Sequence, residues 1–476
     1  MNSSIRNIII VGGGTAAWSA AACLSRNRKL QITVIESPTI PIIGVGESTI
    51  PLVNLAHKRM GFDLFNTTDW LDEVDGTVKL SIEFGGFREV GSLWVHPFFM
   101  SNGVDFRKLA VATLEGRKQS DIVYEETQFG MLRRSGFVDN QTWKKHACAG
   151  TDAAYQVNAA LYAGILKREC LKRDNLSHIS ADVTRVHIGD DGKVATLELA
   201  NSELRTADLF VDCSGMSSLL IDAVGSTFID IGSRLIVDSV IVAPLEYLDR
   251  PTQMQNATYC HALSSGWVWN IPLQSRIGSG YIYSSAHISA TDAMAEFKQH
   301  LQSAYGYDPS ALQVRKIMDF RTGYREKSWT SNVVAIGMSS FFAEPIESTA
   351  IAVFQNDALK LSDLLLAEHI SDQDKAERYN KDQTEAVRSI VEFAELHYLL
   401  TERSDTPFWQ FYKNKPYSPI QRKILETYLN PSPDLGFDYS SIKKALGGNS
   451  LFDSASYLLM FLGYGLLPKS GLAVWK

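Results

Sequence analysis

The sequence predicts an α/β protein: a parallel-sheet core, a mixed-sheet region attached to it, and a helical module towards the C-terminal end. Three observations predict it. Ile8-Ile9-Ile10-Val11 runs into Gly12-Gly13-Gly14 and then an alanine-rich stretch, which reads as strand, tight turn and helix. Ile32-Thr33-Val34-Ile35 is a second β-branched run, ending at Glu36. Strand-like and helix-like patterns alternate to about residue 370, after which strand signals nearly vanish. From Asp374 to His397 the period is helical and charged, and later helices are separated by loops at Lys415-Pro416 and Asn430-Pro431. The expected division is a core over residues 1–372 and a helical module over residues 373–476.

A chain of 476 residues, 45% apolar and 21% charged, has a globular composition and the length for two or three cores. Its net charge is −7 with lysines and arginines scattered singly, so no basic patch marks a nucleic-acid partner. Cys23, Cys148, Cys170, Cys213 and Cys260 lie far apart without CxxC spacing, which reads as a reducing compartment and no structural zinc. The histidines show no paired-ligand spacing, so no metal is assigned. The apolar run over residues 8–24 is broken by three glycines where a signal peptide needs a continuous helix. No other stretch reaches the roughly 18 apolar residues of a membrane span. A soluble, cytoplasmic protein is expected, with its oligomeric state open.

The frame Gly12-x-Gly14-x-x-Ala17 suits a dinucleotide. Gly12 permits the tight turn, Gly14 lets the backbone approach a pyrophosphate, and Ala17 is small enough to pack the helix on the sheet. The helix opening at Thr15-Ala16-Ala17 aims its free N–H groups and dipole at the diphosphate. Taken alone the frame is weak, because a plain glycine turn has the same composition. Glu36, 24 residues after Gly12, is the carboxylate expected on ribose hydroxyls and favours FAD or NAD over NADP. Leu209-Phe210-Val211-Asp212 before Cys213-Ser214-Gly215, and Val333-Val334-Ala335-Ile336-Gly337, follow in the order used by FAD proteins of the aromatic-hydroxylase type. A Rossmann-like FAD-binding core is therefore expected. No second GxGxxG appears, so reducing equivalents are expected from a separate protein.

Five stretches carry a resemblance. Residues 12–18 read GGGTAAW, 44–51 GVGESTIP, 94–98 WVHPF, 267–272 WVWNIP and 344–349 EPIEST. They are similar to GGGTAGW, GVGEATIP, YxHPF, WxWxIP and EPLEST of the flavin-dependent halogenases of the tryptophan-halogenase superfamily, and the likeness runs from the N-terminus to at least Trp409. The resemblance implies that reduced FAD and O₂ oxidise halide to hypohalous acid, which travels through a tunnel to a lysine and halogenates an arene electrophilically. A separate flavin reductase is implied as partner. Gly44, Gly46, Glu47 and Ser48 fall on the flavin-side loop and Gly337 on a later flavin-side turn.

By the same resemblance the lysine is Lys79, within a stretch similar to ATFKLGIRF, and the active-site glutamate is Glu347. Ser348 and Thr349 fall beside the tunnel, Thr349 and Ala350 beside the halide, and His96 and Phe98 on the substrate wall. Each has a plainer reading. Lys79 could pair with Asp75 or Glu83, and Glu347 could be a helix-start acid with Ser348 and Thr349 as caps. Trp267 and Trp269 share one face of a strand with Ile271, as a core stripe or as a screen between arene and flavin.

The chain departs from the family at Ala17, Asn158 (for an aspartate), Phe341 and Ala350. Its C-terminal region is shorter than in enzymes acting on free tryptophan, and residues to grip an amino-acid backbone are not found. An indole, phenol or related electron-rich arene is the expected substrate, with bromide or iodide as plausible as chloride. The rival readings are an FAD-dependent aromatic monooxygenase and a non-catalytic FAD-binding descendant of halogenases.

Overall fold

In the computed structural model, residues 5–41, 46–98, 106–126, 137–146, 153–314, 316–430 and 450–468 are described. The first strand, β1 (Asn7–Val11), is followed by helix α1 (Thr15–Leu24) and strand β2 (Gln31–Glu36). This is the strand-turn-helix-strand order read from the β-branched runs and the glycines between them. Two compact units form, each from three separate segments.

The first unit comprises Met1–Gly76, Val157–Ser233 and Arg321–Val387. β1 pairs in parallel with β2 on one side and with Leu209–Asp212 on the other. Val333–Ala335 extends the sheet in parallel beyond Leu209–Asp212, and Leu176–Ser180 extends it beyond β2. Only the edge pair Trp329–Thr330 with Val333–Ala335 is antiparallel. Ile8, Ile10 and Val34 are buried as a parallel sheet covered by helices requires. Along α1 the small residues Ala17, Ala20, Ala21 and Ala22 are all buried, so the helices Ala159–Cys170 and Ala350–Leu366 close against it.

The second unit comprises Thr77–Gln156, Arg234–Phe320 and Arg388–Lys476. Its seven-stranded sheet has the order Lys316–Asp319, Ser239–Leu245, Ile277–Tyr283, Gly266–Pro272, Ala257–Ala262, Ser81–Gly85, Leu93–Pro97. All pairings are antiparallel except Ala257–Ala262 with Ser81–Gly85. One face carries Val268, Ile241 and Tyr281 against Phe297 and Leu301 of the helix Ala290–Tyr305. By the two-residue period of the strand, Trp267 and Trp269 stand on the opposite face.

Beyond residue 372 every described element is a helix: Asp372–Leu399, Pro407–Asn414, Pro419–Leu429 and Ser454–Gly463. The loop expected at Lys415-Pro416 separates the second and third of these, the third ends at Leu429 just before Asn430, and Pro431 lies outside the described residues; Ser418 with Gln421 forms a capping box ahead of Pro419. The boundary expected at 372/373 falls inside the 28-residue helix Asp372–Leu399, whose residues up to Val387 belong to the first unit and from Arg388 to the second. Among the described residues no helix is long and apolar enough to cross a membrane.

Candidate active site

The glycine turn of the first unit is shaped by three separate demands. Gly12 sits at φ +138°, and a Cβ there would run into the backbone carbonyl of Cys213. At Gly13 a Cβ would strike the side chain of Glu36, which lies across the turn. At Gly14, the N-cap of α1, a Cβ would meet nothing within 4 Å, and no side chain caps the helix there. The uncapped N–H groups of Thr15 and Ala16 thus open onto a cradle that an anion can fill. Gly337, at φ +83°, closes the far side, its absent Cβ only 2.9 Å from that of Ala16. Ala17 is fully buried against the sheet. These residues, with Glu36 at the end of β2, fit the diphosphate and ribose of FAD.

The rest of the flavin-side assignment divides. Gly46 adopts φ +89°, and Glu47 and Ser48 form a short strand. Desolvation pushes the Glu47 carboxyl up to about 7. Gly44 lies outside the described residues. Asp212 turned out to be a fastener: Oδ1 accepts from the Ser214 N–H and hydroxyl, and Oδ2 from the N–H groups of Leu220 and Ile221. Asn158, where the family has aspartate, caps the helix Ala159–Cys170 by accepting from the N–H of Ala160 at 3.1 Å and of Leu161 at 3.4 Å. An amide oxygen does this as a carboxylate would, so the exchange is absorbed.

Glu347 is buried at 2% exposure, two residues before Thr349, the N-cap of the helix Ala350–Leu366. Ser348 holds φ +57°, an uncommon left-handed conformation for a residue with a side chain. The Thr349 hydroxyl makes no capping hydrogen bond, contrary to the helix-cap reading. Ala350, the first helical residue, is exposed. A buried carboxylate therefore stands beside a helix start that no threonine side chain closes.

In the second unit Lys79 is fully buried at the end of the strand Thr77–Lys79, its Nζ 5.0 Å from the centre of the Phe98 ring. Phe98 lies 6.2 Å from His96, and Trp94 stacks at 27° and 6.1 Å on His96. Lys79, His96 and Phe98 are thus brought together. Sequence reasoning missed what lines the wall beyond them. Phe393 lies 6.1 Å from His96, Phe452 stacks on Phe393 at 3.9 Å, and Tyr457 meets Phe393 edge-on at 4.8 Å. No periodicity links residues so far apart in the chain, so no local signal could have found them.

Trp267 and Trp269 are both buried, their rings 6.3 Å apart and inclined at 64°. The benzo edge of the Trp269 indole reaches over Gly280 of the neighbouring strand, where any Cβ would collide with it. Phe341 is buried in a short strand paired with Tyr324.

A family model described as tryptophan halogenase matches residues 7–474. The chain belongs to the tryptophan halogenase family. It is 29% identical to a tryptophan 6-halogenase of Streptomyces albogriseolus, over 99% of this chain and 92% of that protein. It is 28% identical to a tryptophan 7-halogenase of Lentzea aerocolonigenes, over 98% and 91%. Among solved structures, a flavin-dependent halogenase from Xanthomonas campestris superposes with a TM-score of 0.84 at 28% identity, over 99% of this chain and 93% of that one. The expected FAD-binding fold and helical C-terminal region are those of this halogenase family, and the enzyme is a flavin-dependent halogenase acting on an aromatic substrate.

Proposed function

We propose that this halogenase transfers electrophilic halogen, by way of Lys79, to an electron-rich arene such as an indole or phenol, and that bromide and iodide serve as well as chloride. The observation that carries the reading is Lys79: a fully buried ammonium held over Phe98, in the same aromatic wall as His96 and Trp94. Reduced FAD delivered by a separate reductase, with O₂, supplies the two-electron oxidation that turns halide into hypohalous acid. The open cradle at Gly14 and the Glu36 carboxylate bind and orient that cofactor. The helix start at Thr349 and Ala350 seats the halide through N–H groups that no threonine side chain caps. Lys79 then presents the halogen, either by hydrogen-bonding hypohalous acid or as a haloamine. The His96 and Phe98 rings hold the arene flat against it. Glu347 stabilises the cationic ring and takes its proton as the C–H bond gives way to carbon–halogen. Trp267 and Trp269 screen the arene from the flavin.

The curated relatives are named for tryptophan, and free tryptophan is the alternative substrate. Turnover with an added flavin reductase decides between them. Tryptophan, indole and phenol are each supplied with chloride, bromide or iodide, and products are weighed by mass spectrometry. The reading expects halogenated indole and phenol, with tryptophan a poorer substrate. Oxygenated products formed without halide, or tryptophan halogenated far faster than indole, would overturn it.

A further inference from the structure

We infer that Lys167 and His178 are positioning residues for the cofactor: together they clamp one oxygen of Glu36 and leave the other for the ribose. The inference rests on the flavin reading of the glycine turn. Three elements of the first unit converge on this carboxylate. Lys167, in the last turn of the helix Ala159–Cys170, donates to Glu36 Oε2 at 2.7 Å. His178 Nε2, on the strand Leu176–Ser180 next to β2, stands 2.9 Å from the same oxygen. Because a carboxylate only accepts, the His178 ring directs an N–H at it.

The clamp is itself held. Lys167 Nζ lies 5.4 Å from the centre of the Trp18 ring, and Trp18 packs 5.7 Å from the His178 ring. Burial and the nearby Lys167 charge outweigh the Glu36 carboxylate and lower the His178 pKa, which favours the neutral ring. Glu36, Lys167 and His178 are 21%, 32% and 20% exposed, so water screens the contact only in part. Across the turn, the missing side chain of Gly13 makes room for the Glu36 Cγ, Cδ and Oε1. Glu36 is thus fixed on two sides before any ligand arrives. A flexible glutamate would lose rotamer freedom on taking the ribose hydroxyls; this one has already lost it.

Calorimetric titration of the full chain with FAD and with ADP-ribose tests the clamp. Lys167→Met is expected to weaken both ligands by about tenfold and to a similar factor, since both present the ribose. Lys167→Arg is expected to restore most of the loss, with the thermal midpoint of the ligand-free protein unchanged. His178→Asn gives a second reading should Lys167→Met fail to fold. Unaltered FAD binding in Lys167→Met or His178→Asn overturns the inference. So does a loss for FAD with none for ADP-ribose. A native protein that binds neither ligand overturns the flavin reading and the clamp with it.

Discussion

Lys79 places a charge where burial is complete, a placement that costs several kcal/mol unless the charge is compensated or used. Lys79→Met is expected to abolish halogenated product while FAD binding and peroxide release persist. Product at the native rate would remove Lys79 from the mechanism. Glu347→Gln is expected to slow aromatic substitution by two to four orders of magnitude, about 3–5 kcal/mol of barrier, with electron-rich phenols suffering least. A residue serving only the helix start would instead cost about 0.3–1 kcal/mol of stability and leave single-turnover yields intact. At this scale the sequence was legible through motifs alone. A lysine four residues from Glu83 looks like any other lysine, and only the resemblance singled it out. Gly13 was passed over between Gly12 and Gly14 because its purpose is to clear Glu36, a contact that no spacing rule contains.

The strand Gly266–Pro272 shows what an element can and cannot reveal of itself. Its two-residue period put Trp267 and Trp269 on one face, as found. Its neighbours were hidden: Trp269 depends on Gly280, and the pairing that joins them is absent from either segment's pattern. Gly280→Ala must push the indole and the Ile241 carbonyl aside, so a loss of about 2–4 kcal/mol is expected from denaturant midpoints. Gly164→Ala, in open space within the helix Ala159–Cys170, should instead gain about 0.5–1 kcal/mol. Leu209–Asp212 was likewise readable as a strand, while the use of its aspartate was not. Asp212 is buried and its four donors tie it to the following turn and helix start, contacts that no spacing in the sequence reveals.

Over the whole chain, buried titratable groups set how stability varies with pH. Desolvation lowers His57 to about 3, and His261 and His300 to about 4. The unfolded chain therefore protonates first, and their contribution is lost as pH falls from 6.5. Burial raises Asp357 from 3.8 and Glu47 from 4.5, each to about 7, so their contribution is full at low pH and lost as pH rises through those windows. Near pH 5–6 three protons favour the unfolded chain and two the native, a net slope of up to about 1.4 kcal/mol per pH unit. Partial exposure of His261 and His300 brings the measured slope below that. Urea unfolding between pH 4.5 and 8 checks both signs: native stability should fall towards acid below about pH 6, and the advantage of Asp357→Asn should grow until about pH 7 and then level. The three-segment make-up of each unit was illegible, because composition reports neighbours along the chain and not partners across it. That make-up governs how the protein is born. β1 leaves the ribosome about 200 residues ahead of Leu209–Asp212 and over 300 ahead of Val333–Ala335, its partners in one sheet. For about 200 residues of synthesis one edge of this β-branched strand, the edge away from β2, waits unpaired, the kind of edge that nascent chains use to aggregate. Soluble yield is then governed by translation speed and holdase supply, and cutting the gene at residue 372 strands both halves.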